Sequence, residues 1–389
     1  MEPAARPVAP AERLHALDAL RGLAILGIVF VNVQFFATPL FSVIEYRVVD
    51  DFAATADRLA QWLVMVVAQG KLYPLLALLF GYGFGIQLER AGGAGARYAR
   101  RLAALFALGI AHAVLLWAGD VLTAYAVVGA VLALFRRKGD RALLVWAAVL
   151  AGVHVLFVVV NAALYTAIGD AEPRGVAEVT AAYGAGSFGE VTAQRVADAA
   201  LTIPEGILGA GPGFLAMFLV GYWAQRRDLL RRVEEHRPLL RRVAAVGIGV
   251  GGAASAAFAT LWWLGDGRGG LAAGALALSS LALLQTLGYA AGLTLLAHGR
   301  RARLLAPFRP LGRVALSGYL LQSVLASLVF YGYGLGLYRE VGPLAWLGIA
   351  AAIAVTCLAL AALWLHLFRI GPAEWLLRSV TYGRPQRLR

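Results

Sequence analysis

The sequence predicts an all-α protein, a polytopic transmembrane helix bundle of about ten spans with N- and C-termini cytoplasmic. Three observations carry this. Of the 389 residues, 60% are hydrophobic and only 15% charged, with a mean hydropathy of +0.72; a soluble domain carries roughly a quarter charged residues. Apolar runs of helix length recur along the chain. The basic residues gather in short segments between alternate runs, which is the positive-inside pattern. The net charge of +13 therefore reads as membrane topology and not as nucleic-acid binding.

The apolar runs cover residues 17–37, 64–88, 101–119, 121–135, 142–168, 206–225, 243–264, 270–297, 313–332 and 343–367. With the N-terminus inside, only Arg47, Arg58, Lys71, Arg174, Arg195, Arg268 and Arg339 of the 35 basic residues fall outside the inner segments and tail. The first residues carry Pro, Ala and Glu ahead of an Asp-Arg pair, unlike a cleavable signal, and are expected to form a short cytoplasmic tail. Three stretches organise the chain: 1–140 with the polar motifs, 141–225 with a long outer segment, and 226–389.

The first run opens LHALDALRGLAILGIVFVN. On a helix Asp18 and Arg21 are neighbours at i,i+3. Asn32 falls within about 20° of Arg21 on the same face, roughly 16 Å deeper. Such a polar stripe faces the bundle; it serves either as a helix lock with an Asn glue, or as substrate and cofactor contact. In the second run, GKLYPLLALLFGYGFGIQLER, Gly81, Gly83 and Gly85 match no phosphate loop, and close helix packing explains them better. Lys71 and Tyr73, just before Pro74, stand at the outer interface. Lys71 either snorkels or holds an anionic or acyl carbonyl group.

Two further runs, Leu102 to Ala118 and Val121 to Phe135, are joined by little except Gly119-Asp120 and closed at both outer ends by arginine pairs. Each reaches roughly 23–26 Å, a membrane hairpin. His112 lies about 16 Å from Arg101, near the bilayer midplane, where an ionisable group is a candidate functional residue. His112 and Asp120 are eight residues apart, hence about 12 Å along the axis and too far for direct contact, so the pair is expected to flank a cavity with Tyr125 on the return helix. His112 is the candidate general base and Asp120 the group that orients an acceptor. The alternative is a histidine bonded to a neighbouring helix. In the fifth run His154 and Asn161 share a face and read as helix glue.

Of two long outer segments, residues 38–63 are acidic and end in an amphipathic stretch, whereas 169–205 suit either a cap of short helices over an outward-facing cavity or a solvated connector. The inner loop QRRDLLRRVEEHRPLLRR suits an amphipathic helix on an anionic leaflet. The single cysteine, Cys357, excludes an internal disulfide and a cysteine metal cluster. No metal-ligand spacing or GxSxG elbow occurs, so no metal is expected.

Several motifs carry a family resemblance. RLHALDALRGLAILGIVFVNV, GKLYPLLALLFGYGFGIQLER and GIAHAVLLWAGDVLTAYAVVG, followed by PFRPLGRVALSGYLLQSVL, FYGYGLGL and FRIGPAEWLLRSVTYG, resemble the YeiB-like bacterial membrane proteins and their domain of unknown function 418. That family is similar to the transmembrane acyltransferases, among them the heparan-glucosamine N-acetyltransferase. The shared signature is Leu17-Asp18, Arg21-Gly22 and Val31-Asn32. The resemblance implies a multi-pass protein of the bacterial inner membrane that passes an acetyl or other acyl group from acyl-CoA to a hydroxyl or amine. The acceptor would be a small-molecule, sugar or lipid acceptor of the envelope, or a secreted one. Asp18, Arg21, Asn32, Lys71, Tyr73 and Tyr125 would then contact substrate or acetyl-CoA, with Lys71 or Arg21 helping to hold the donor. The chain departs from the heparan enzyme in having no histidine in residues 38–63, and His112, in the pattern His112, Leu115, Gly119, Asp120, is the substitute. Alternatives are a small-molecule or lipid transporter or exporter and a non-catalytic membrane scaffold. The lipid bilayer is the expected partner, no nucleic acid is, and a homodimer stays open.

Overall fold

The computed structural model describes residues 14–39, 54–91, 95–168, 175–264 and 271–388. Among them every regular element is helical. The helices are α1 (His15–Ala37), α2 (Thr55–Val67), α3 (Leu72–Ala91), α4 (Ala96–Leu115) and α5 (Leu122–Leu132). Then come α6 (Asp140–Ile168), α7 (Val176–Ala185), α8 (Phe188–Glu205), α9 (Gly211–Arg226) and α10 (Val233–Leu264). The chain ends with α11 (Leu271–Ala297), α12 (Arg309–Arg313), α13 (Ala315–Phe330), α14 (Pro343–Leu367) and α15 (Pro372–Tyr382).

Each of the ten apolar runs is helical, but the span count is lower than ten by length and composition. Among the described residues, seven helical stretches are long and apolar enough to cross a membrane, and eight if Leu281–Ala297 and Ala302–Arg313, bent by 109°, form one broken span. Leu122–Phe135 and Ala315–Phe330 are shorter apolar helices. They are short for local reasons. Residues 116–121 leave the helix before α5, and α13 is bounded by the non-helical Val314 and the extended Tyr331. Of the first acidic outer segment, residues 40–53 lie outside the described residues, and the remainder is mainly α2.

Backbones approach closely at glycines, as small residues permit in membranes. A Cβ at Gly81 would run into the Phe218 carbonyl, and one at Gly221 into the Leu78 carbonyl, so α3 and α9 lie against each other. Gly83 faces the Arg21 guanidinium and Gly85 the Gln225 side chain. Gly22 and Gly312 give α1 and α12 the same intimacy.

Between α2 and α3 one long stretch is interrupted at residues 68–71, where Gly70 takes φ +78°. The last carbonyls of α2 would be orphaned inside the bundle. Instead Ala68 and Gln69 donate to Val64 O, and Lys71 Nζ donates to Met65 O at 2.5 Å. Gln285 Nε2 reaches Val66 O at 3.1 Å and Tyr289 Oη reaches Val67 O at 3.0 Å, both from α11. α11 thus completes the broken helix end.

The segments rich in arginine meet on one side. Asp140 takes Arg226 and Arg227, at 3.3 and 2.6 Å, and Arg226 also donates to Lys138 O. Arg313 donates to Arg369 O. The outer segment forms α7 and α8, and α8 does not stop at residue 205. Pro204, which lacks an N–H, precedes a π-turn over Gly206–Ala210 that leads into α9. His154 of α6 donates its ring N–H to the Gly209 carbonyl of that turn, 3.1 Å away, while Asn161 donates to Phe157 O of its own helix.

Candidate functional site

α4 ends one turn after His112, whose carbonyl accepts from both Leu116 and Trp117 N–H at 2.9 Å. The chain then folds back. Asp120, just ahead of α5, accepts from Thr123 N at 2.7 Å and Thr123 Oγ1 at 2.8 Å through its Oδ2. A carboxylate here satisfies one of the first amides of α5 and complements its dipole. Gly109 permits the closure, since a Cβ there would lie 2.7 Å from Thr123 N and 2.8 Å from Asp120 Oδ2. Trp117 anchors the turn by stacking on Phe36 of α1, ring centroids 4.7 Å apart.

The reversal corrects the expectation that His112 and Asp120 are too far apart to touch. His112 Nδ1 and Asp120 Oδ1 lie 3.0 Å apart with both side chains fully buried, although the ring N–H is not aimed along that line. The helical rise applies only along a helix, and residues 116–121 do not continue one. On the other side of the ring, His112 Nε2 is 2.9 Å from Ser323 Oγ. Ser323 comes from α13, about 12 Å along that helix from Ala315, while His112 is about 16 Å along α4 from Arg101. The two helices deliver their polar groups to similar depths, and Asp120, His112 and Ser323 form one buried line.

Tyr319, one turn before Ser323, packs its ring 4.9 Å from that of His112. Its hydroxyl is buried beside the Val121 backbone and makes no aligned hydrogen bond. Asp120, Tyr73 and Tyr125 are its electrostatic neighbours. Tyr125 Oη donates to Tyr73 O at 2.7 Å, and the Tyr73 hydroxyl bonds Asn32 Oδ1. Among the sequence-predicted residues, then, His112, Asp120, Asn32, Tyr73 and Tyr125 gather around Tyr319. Asp18 and Arg21 stay at the far end of α1, where Arg21 lies against Gly83 and interacts with Asp18, and where Arg101 has Arg21 and Arg378 as charged neighbours. Lys71 is fully buried and turned to Met65 O.

Sequence reasoning missed Ser323, Tyr319 and Arg195. The first two had a signal, since Tyr319, Ser323 and Ser327 recur every four residues and so share a helix face. Arg195 of α8 had only its outer position. It is fully buried, donates to Leu115 O at 2.8 Å and to Tyr333 Oη at 2.5 Å, and lies over the rings of Tyr331, Tyr333 and Phe188 at 4.9 to 5.8 Å. Tyr183 of α7 stacks on Tyr331 and donates to Asp198 Oδ2 at 2.6 Å. Burial first, and then the neighbouring Tyr331 and Asp198, push the Tyr183 phenol up, so it remains a donor. These residues close the C-terminal end of α4 over the buried line.

Two bodies of comparison agree. Residues 224–384 match a family described as protein of unknown function DUF418. The chain is 34% identical to the uncharacterized protein YxaH of Bacillus subtilis strain 168, over 97% of this chain and 96% of that one. This chain belongs to the YeiB-like DUF418 family. It is also 29% identical to the uncharacterized protein YeiB of Escherichia coli K12, over 95% of this chain and 96% of that one. An uncharacterized 39.9 kDa protein of Bacillus acidopullulyticus is 28% identical over 97% of this chain and 96% of that one. No solved structure matches the chain. Among the described residues of this family member, no three His, Cys, Asp or Glu side chains group as a metal site would require.

Proposed function

We propose that this protein is an integral membrane acyltransferase of the bacterial inner membrane, moving an acyl group from acyl-CoA to a hydroxyl or amine. The observation that carries the reading is the His112 ring held between Asp120 and a hydroxyl. A carboxylate at Nδ1 favours the tautomer with its proton there and leaves Nε2 free to accept one, which is the requirement for a general base. Arg21 and its charged neighbour Arg101, which also has Arg378 beside it, supply cationic groups suited to phosphates that the donor carries. Both termini and this basic side then face the cytoplasm, where acyl-CoA is made.

Calorimetry with acetyl-CoA on detergent-purified protein, combined with an assay for released coenzyme thiol in the presence of an amine or alcohol acceptor, tests this. Arg21→Ala is expected to weaken binding, whereas His112→Ala keeps binding and loses thiol release. Folded wild-type protein that binds no acyl-CoA overturns the reading. Transport is the second reading, and the break between α2 and α3 favours it, because interrupted spans with capped carbonyls are a device of transporters. Solute uptake by proteoliposomes without thiol release would shift the assignment there.

A further inference from the structure

We infer that Ser323 is a covalent acyl carrier, a nucleophile activated by His112 and Asp120, so that transfer runs through an acyl-serine intermediate within the bundle. The inference rests on the acyltransferase reading for its donor, though not for the nucleophile itself.

The argument begins with the distances. Ser323 sits mid-helix on α13, where a serine ordinarily bonds the carbonyl four residues back. Here that contact, to Tyr319 O, is long at 3.4 Å, while the distance to His112 Nε2 is 2.9 Å. The hydroxyl thus lies closer to the imidazole than to the carbonyl of its own helix. Behind the ring, Asp120 spends Oδ2 on Thr123 and holds Oδ1 3.0 Å from Nδ1, off the direction of the ring N–H. A hydroxyl, an imidazole and a carboxylate in that order are the arrangement by which a weak nucleophile is activated, and it is recognised by geometry and not by chain order. Ser323 and His112 are 211 residues apart in the chain, and all three side chains are buried. A helix-gluing serine needs only the imidazole. It does not need a carboxylate fixed by two donors behind it, nor a glycine at 109 that admits that carboxylate.

The chemistry balances. Ser323 Oγ forms a bond to the thioester carbonyl carbon as its proton passes to His112 Nε2; the carbon–sulfur bond breaks, and the coenzyme sulfur leaves with that proton. The acceptor hydroxyl or amine then gives a proton to His112 and bonds the acyl carbon, and Ser323 Oγ departs and recovers the proton. Charge develops on the carbonyl oxygen in both halves. The Tyr319 hydroxyl, buried beside this line without an aligned partner, is the donor available to meet it.

The test uses the full chain in detergent with two probes. A fluorophosphonate reports a serine nucleophile without any coenzyme, and acetyl-CoA mixed briefly and quenched reports an acetylated peptide by mass spectrometry. Both adducts are expected on Ser323 of the wild type and of Ser327→Ala, one turn further on, and neither in Ser323→Ala or His112→Ala. Thiol release by Ser323→Ala should fall by about 10³-fold or more. Ser323→Cys keeps a nucleophile in place and is expected to carry the acetyl group as a thioester, which separates lost chemistry from lost folding. Ser323→Ala that still releases coenzyme near the wild-type rate, with no adduct on the wild type, overturns the inference and leaves the acyltransferase standing, with His112 acting directly on the acceptor. A fluorophosphonate adduct on Ser323 in protein that neither binds nor consumes acyl-CoA supports the nucleophile and overturns the donor.

Discussion

At the scale of single residues, Asp120 has two separable duties. Its Oδ2 receives the Thr123 amide and hydroxyl, and its Oδ1 faces His112 Nδ1. Asp120→Asn retains an oxygen for Thr123 but no longer offers a carboxylate to the imidazole, and it favours the wrong tautomer. Thiol release in this variant is expected to fall by about 10²–10⁴-fold with acetyl-CoA binding unchanged. An equal loss of binding would mean that the carboxylate serves the fold or the donor and not the imidazole. The meeting of His112 with Asp120 was not legible in the sequence, because spacing along an ideal helix places them a bilayer leaflet apart. The six residues that leave the helix carry no signal stronger than Gly119-Asp120, and the glycine that makes room, Gly109, lies on the other side of His112. Ser323 was hidden for another reason: it belongs to a helix two hundred residues later, and one sequence carries no record of which spans touch.

Among the elements, the broken stretch of α2 and α3 shows what a buried helix end requires. The last four carbonyls of α2 must each find a donor outside their own helix, and side chains from Lys71, Gln285 and Tyr289 supply three of them. Lys71→Met removes the donor to Met65 O and leaves a buried carbonyl unpaired. That costs about 1–3 kcal/mol, to be read as a lower unfolding temperature in detergent with acyl-CoA binding retained. An unchanged temperature together with lost binding would return Lys71 to the substrate. The apolar runs themselves were plain in the sequence because each must bury or immerse about a membrane's depth of side chains. Their ends were less so. The run expected to begin at residue 206 is preceded by helix as far back as Phe188, since Pro204 is absorbed by a π-turn whose Gly209 carbonyl His154 satisfies.

For the whole molecule, the distribution of arginine predicts an orientation. The segments around Lys138, Arg226 and Arg227 come together on one side, while α7, α8 and the Tyr331 to Tyr338 stretch cover the other end of α4. A Cys357→Ala background, which removes the one native thiol, permits a direct check of orientation. Ser187→Cys is expected to react with an impermeant maleimide added to intact cells, and Arg232→Cys only after the membrane is opened. The opposite pattern would invert the protein and place the arginine groups away from a cytoplasmic donor.

The stacking of Trp117 on Phe36 has an optical consequence. Its indole also stands edge-on to the His112 ring, centroids 6.3 Å apart. An imidazolium is a stronger quencher of indole emission than an imidazole, and in the proposed transfer His112 holds the travelling proton only in passage. Trp117, one of nine tryptophans, thus stands as a native fluorophore beside His112, and protonation of that ring would dim it with no label attached.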